Sequence, residues 1–186
     1  MNAQEFWNGF KEIFKDGTAT KETALKKWYR NKDYTAFILS EIEKKLENAS
    51  LETSKEYYRI DLTAWKQLKN EDYYLLSEKD FEKYLWDLEV AVEHENNDKS
   101  WMDEVVKLMH ITCPLRVVIG YLPMKEEKDT YISALNSEIK KVRVYNDMNK
   151  GEFLLIIGDS KCKGDKKKFC NYTPYIFRNS GFKQLL

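Results

Sequence analysis

Two stretches of the chain alternate with a period of two, and acidic residues fall on one side of both. In the first, Tyr58, Ile60, Leu62 and Ala64 alternate with Tyr57, Arg59, Asp61, Thr63 and Trp65; in the second, Leu88, Val90, Val92 and His94 alternate with Asp87, Glu89, Ala91, Glu93 and Glu95. Strict alternation marks a strand, in which successive side chains point to opposite faces of a sheet. The two stretches therefore predict two strands and constrain what each face can carry. If Ile60 and Leu62 join Leu88, Val90 and Val92 on a buried face, Asp61 is forced to the side of Glu93 and Glu95. Asp and Glu are poor strand formers, so their place within apolar strands calls for another reason.

The rest of the chain builds around these strands. Residues 34–46 carry Ile38, Leu39, Ile42 and Leu46 at helical spacing, with Asp33 as a candidate cap, and further helices are expected near residues 3–14 and 22–29. The helical part thus covers about residues 1–50. The polar stretch 48–55 reads as a connection, residues 67–80 as an irregular excursion, and residues 101–111 as a helix with a wide apolar face. Two continuous apolar runs, 115–121 and 153–157, have the character of interior strands. Between them Tyr131, Ile132, Leu135, Ile139 and Val142 mark the inward stripe of a helix, so the two runs form a parallel βαβ unit. Residues 172–177 complete the sheet as an edge strand. The expectation is one α/β domain over residues 1–186, with a mixed β-sheet flanked by helices.

Composition narrows the function classes. The 186 residues are 42% hydrophobic and 14% aromatic, enough for one substantial core. The 31 basic and 31 acidic side chains cancel, so the chain is no polycation, and any attraction to nucleic acid must come from a local basic surface or a bound metal. No apolar run approaches the roughly 20 residues that span a bilayer, and the first residues carry no targeting pattern. Three cysteines, Cys113, Cys162 and Cys170, fall at no disulfide or zinc spacing; free thiols and a cytoplasmic setting are the expectation.

Three carboxylates crowded on one face repel one another and raise one another's pKa values unless a cation or proton compensates. A hard divalent ion with oxygen ligands, Mg²⁺ or Mn²⁺, answers that need, binding a few carboxylates, keeping waters and completing its shell with substrate phosphate. Asp61, Glu93 and Glu95 are the candidate ligands.

Ile60-Asp61 on one strand and Val92-Glu93-His94-Glu95 on the next resemble the signature of the PD-(D/E)XK nuclease superfamily. The order of elements agrees with the αβββαβ core of that restriction-endonuclease-like fold over about residues 34–121, with one early strand hidden near residues 67–84. The resemblance implies a metal-dependent nuclease that hydrolyses phosphodiester bonds, with DNA as the expected substrate by family analogy. It gives Asp61 and Glu93 the role of metal ligands, and Glu95 that of a ligand or of the acceptor of a proton from the attacking water. Two departures stand out: Ile60 replaces the proline, and Glu95 stands where the family has lysine. In the family that lysine positions the attacking water and offsets developing charge, although some restriction-enzyme branches use glutamate there. Lys107, one helix later, is the candidate for a displaced lysine.

Other residues are weighed against plainer roles. Glu89 shares the acidic face but lies farther from the strand end, as a bystander would. Lys107 follows Asp103 and Glu104 at the spacing of ordinary helix ion pairs. Glu41 and Glu43 are either additional ligands or surface residues. His94 points away from the carboxylates, which suits a packed histidine better than a general base. Lys161, Lys163, Lys166, Lys167 and Lys168 surround Gly164 and form either a basic loop that tracks a phosphate backbone or a solvated hairpin tip. The competing functional readings are a non-catalytic member of the same fold, acting as a nucleic-acid or protein interaction module, and a regulatory or immunity-type partner protein with a fortuitous acidic face. No membrane association is expected, and the oligomeric state is left open, a homodimer included.

Overall fold

In the computed structural model the described residues are 1–28, 30–67, 86–96, 100–122, 125–159 and 171–186. Seven strands form one mixed sheet in sequence order: β1 (Glu52–Tyr57), β2 (Ile60–Gln67), β3 (Trp86–His94), β4 (Leu115–Leu122), β5 (Glu152–Asp159), β6 (Tyr172–Arg178) and β7 (Gly181–Gln184). The pairs β1–β2 and β2–β3 are antiparallel, β3–β4 and β4–β5 parallel, and β5–β6 and β6–β7 antiparallel. The helices are α1 (Ala3–Glu12), α2 (Ala19–Lys27), α3 (Asn31–Asn48), α4 (Trp101–Met109) and α5 (Lys125–Glu138), with 3₁₀ turns at Ile139–Lys141 and Arg143–Asn149. Among the described residues no helix is long and apolar enough to cross a membrane.

Helices cover both faces of the central sheet. On one face Phe6 and Phe10 of α1 and Ile38, Ile42 and Leu46 of α3 pack with Leu62, Val90, Val92, Val117, Ile119, Leu154 and Ile156. On the other, Trp101, Val105 and Leu108 of α4 and Ile132 and Leu135 of α5 pack with Ala91, Val118, Phe153, Leu155 and Ile157. This double cover explains why β4 and β5 are apolar almost throughout rather than alternating. Gly120 serves the contact with α4, because a Cβ there would come within 2.7 Å of the Trp101 side chain.

Several expectations are corrected. The first alternating stretch is not one strand: residues 58 and 59 form a two-residue turn between β1 and β2, and β1 itself lies in the polar stretch read as a connection. The third strand of the meander is therefore β1, and the expected position for it, residues 67–84, lies almost wholly outside the described residues. β6 is no edge strand, since β7 pairs along its outer side. Asp33 does not cap α3; Arg30 occupies that position without a side-chain cap, and Asp33 forms an exposed ion pair with it at 3.7 Å.

Candidate metal centre at the β2–β3 junction

The antiparallel register that pairs Leu62 with Val92 sets Asp61, near the start of β2, beside Glu93, near the end of β3. Both belong to the sheet face covered by α4, so the acidic side of the strands is a buried side. Glu93 is 2% exposed and Asp61 half-buried. The amide of His94 donates to Asp61 Oδ2 at 2.8 Å, holding that carboxylate across the two strands.

Lys107 on α4 reaches into this site, its Nζ 2.7 Å from Glu93 Oε1 and 2.9 Å from Glu104 Oε2. The helix-surface pairing with Glu104 that its spacing suggested is present, and the contact with Glu93 is additional. The Glu93 contact is one of charge more than direction: Oε1 is buried and has no partner of hydrogen-bond geometry. Burial pushes the Glu93 carboxyl up to about 8, with Asp61 and Glu104 adding to the rise and Lys107 opposing it. Asp61 is likewise raised, by burial first and by the charges of Glu56 and Glu104, against the His94 amide and Lys107. Lys107 ends above its ordinary value, because its two carboxylate partners outweigh the burial that disfavours its charge. Two acids thus share a pocket in which neither ionises easily, the situation a cation would relieve.

The remaining candidates separate from this centre. Glu95 follows the last residue of β3, half-buried, and its amide donates to the Ile119 carbonyl at 2.9 Å. Among the described residues no set of three or more His, Cys, Asp or Glu side chains converges as a metal-holding group, so the expected triad is, in this structure, an Asp61–Glu93 pair. Glu89 pairs with Lys66 at 3.6 Å and lines an open cleft of about 450 Å³ with Asp87, Cys113 and Lys150, toward the other end of β3. Glu41 and Glu43 are taken up by Lys44 and Lys55. Cys113 is a buried free thiol, pushed up to about 11 by burial. Lys161, Lys163, Lys166, Lys167 and Lys168, with Cys162 and Cys170, lie outside the described residues.

His94 faces away from the carboxylates, as its register requires. Its Nδ1 lies 3.1 Å from Thr35 Oγ1 and its Nε2 2.8 Å from Tyr121 Oη, and burial lowers its pKa to about 3, so it stays neutral. Sequence reasoning passed over the parts played by Glu104 and Glu56 as electrostatic neighbours of the pair, and by Thr35 and Tyr121 in clamping His94. The one available signal was Glu104 three residues before Lys107.

No known family model matches the chain, and none of the curated proteins is significantly similar to it in sequence.

Proposed function

We propose that the chain is a metal-dependent nuclease of the restriction-endonuclease-like type, hydrolysing phosphodiester bonds of nucleic acid, with DNA as the preferred substrate by family analogy. The observation that carries this reading is the grouping of Asp61, Glu93 and Lys107: two carboxylates on adjacent strands and an ammonium 2.7 Å from one of them. The order α3, β1, β2, β3, α4, β4, with an antiparallel meander followed by a parallel strand, supports it.

The donor set suits a small hard cation. Mg²⁺ is commonly held by one or two carboxylates with water and substrate phosphate filling the rest of its shell, and Glu93 Oε1 is a buried acceptor without a directed hydrogen bond. Asp61 and Glu93 would hold the ion. When bound, such an ion polarises a phosphoryl oxygen and makes water a better nucleophile near neutral pH. The chain's own groups do the rest. The His94 amide fixes Asp61, and the packed His94 ring fixes that amide. Lys107, on a helix anchored by Trp101 and Val105, takes the place of the motif lysine and offsets negative charge that develops on the phosphoryl group.

The test is cleavage of plasmid, linear duplex, single-stranded DNA and structured RNA with Mg²⁺ or Mn²⁺. Activity should vanish with a chelator and in Asp61→Ala and Glu93→Ala, and should persist in Glu89→Ala. Intact substrates under every condition would replace this reading by the non-catalytic alternative, an interaction module on the same fold. A loss in Glu89→Ala as large as in Glu93→Ala would show that the site has been misplaced.

A further inference from the structure

The turn joining β1 to β2 has an unusual composition for its shape. Tyr58 and Arg59 both adopt left-handed backbone, with φ of 52° and 61°, between the paired residues Tyr57 and Ile60. A two-residue hairpin turn with positive φ at both central positions is the type I′ turn, which favours Asn-Gly because side chains with a Cβ crowd the backbone there. A bulky aromatic residue and an arginine are among the costlier occupants. The β6–β7 hairpin meets its own need in the ordinary way, placing Asn179 at its left-handed position with φ of 54°.

What this strained tip presents is chemically specific. Tyr58 is 77% exposed, and its ring stands edge-on to that of Tyr57 at 4.5 Å. Arg59 is exposed beside it. The nearby lysine Lys55 is engaged by Glu43. Asp61 follows Arg59 by two residues, about 7 Å along an extended backbone. Because β2 begins where antiparallel β3 ends, the tip projects at the end of the sheet that holds Asp61 and Glu93.

We infer that the Tyr58–Arg59 tip is a nucleic-acid contact: Tyr58 stacks on an unpaired base, and Arg59 grips the phosphate backbone next to the bond to be cut. The inference rests on the nuclease reading and adds a substrate class to it, namely single-stranded nucleic acid or a frayed end. An exposed ring offers its face only to a base free of its own stack, and such stacking is tolerant of sequence. The guanidinium fork matches phosphate geometry. Both residues are exposed at the tip, and a contact role accounts for a turn that does without Asn-Gly.

The experiment compares wild type with Tyr58→Ala, Tyr58→Phe and the double variant Tyr58→Asn/Arg59→Gly. Binding of a fluorescein-labelled single-stranded oligodeoxynucleotide and of a blunt duplex is followed by fluorescence anisotropy in Ca²⁺, cleavage is followed in Mn²⁺, and thermal unfolding is recorded without nucleic acid. Wild type should prefer the single strand. The double variant should melt higher, by roughly 4 °C once both strained positions are relieved. It should nonetheless bind the single strand about tenfold more weakly, the size expected for a lost base stack and phosphate contact. Tyr58→Phe should bind as wild type does, and Tyr58→Ala should not. Unchanged single-strand affinity in the double variant overturns the inference while leaving the nuclease reading intact. A lower melting temperature in that variant also overturns it, by making the tip a structural element. A wild-type protein that neither binds nor cleaves any nucleic acid removes the nuclease reading, and the tip's role with it.

Discussion

Two acid–lysine pairs lie beneath the helices that cover one face of the sheet, and they differ in what else they touch. Lys128 of α5 and Asp159 at the end of β5 pair at 2.6 Å, with side chains 3% and 5% exposed. Lys128 also approaches the Ile157 carbonyl and Thr173 Oγ1, each at 3.4 Å, and Asp159 Oδ2 accepts from the Asn171 amide. Lys107 and Glu93 pair at a similar distance, but Lys107 is 36% exposed and shared with Glu104, while Glu93 is crowded by Asp61. The first pair is closed to solvent and carries one acid for one lysine, although Asp159 Oδ1, like Glu93 Oε1, is met by its lysine's charge without a partner of hydrogen-bond geometry. The second is open on the lysine side and carries a surplus of acid. A closed pair holds structure together, whereas the open pair with surplus carboxylate is the one proposed above to take up a cation.

The largest effect should come from breaking the closed pair. Lys128→Ala leaves the Asp159 carboxylate buried without its partner, and removing one member of such a pair costs about 3–5 kcal/mol. Urea denaturation should register that loss, while Glu93→Gln under the same metal-free conditions should lose nothing or gain. Equal losses in the two variants would erase the distinction between the pairs.

A second, smaller effect is a pH dependence confined to the open pair. The folded protein raises the Glu93 carboxyl from 4.5 to about 8, so it binds that proton more tightly than the unfolded chain does. The stability this contributes is fully present below pH 4.5 and is lost as pH rises through about 8. Asp61, also raised, acts in the same sense. Metal-free wild type should therefore weaken between pH 5 and 8, and Glu93→Gln should flatten the profile when both are followed by thermal unfolding. A wild-type profile that rises across this range would show that Glu93 is ionised and stabilised in the fold.

The smallest effect sharpens the role of Lys107. Lys107→Met keeps the apolar stem and removes a partly exposed charge, so at pH 6 it should change stability by no more than about 1 kcal/mol. Because Lys107 opposes the rise of Glu93, its removal should move the Glu93 titration upward, visible in carboxyl carbon chemical shifts. A downward move would mean that Lys107 does not act on that carboxylate.

How much of this was legible in the sequence follows from which signals are local. Period-two alternation put Asp61 and Glu93 on one face, and they share it because side-chain direction in a strand is set by parity alone. The continuous runs of β4 and β5 announced interior parallel strands for the same kind of reason. The Tyr58–Arg59 turn was invisible, since it lacks the Asn-Gly signal and the period-two pattern of residue types runs through it, although the pairing of Tyr57 with Ile60 reverses the parity there. β1 was hidden because an edge strand such as Glu-Thr-Ser-Lys-Glu-Tyr contributes few side chains to the core. The burial of the acidic face under α4, and the meeting of Lys128 with Asp159, depend on how helices lie across the sheet, which no local spacing encodes. Asp159 at the end of an apolar strand was the one hint of the closed pair.

The central claim is that Asp61 and Glu93 together bind a divalent cation, and calorimetric titration of Mn²⁺ into chelator-stripped protein tests it most directly. Wild type should bind, Asp61→Ala and Glu93→Ala should each lose binding, and Glu89→Ala should retain it. At about a hundredfold excess over its dissociation constant the metal should add roughly 2.7 kcal/mol to wild-type stability and none to the two site variants. Wild-type protein that takes up no Mn²⁺, or that binds it equally well without the Glu93 carboxylate, would contradict the account.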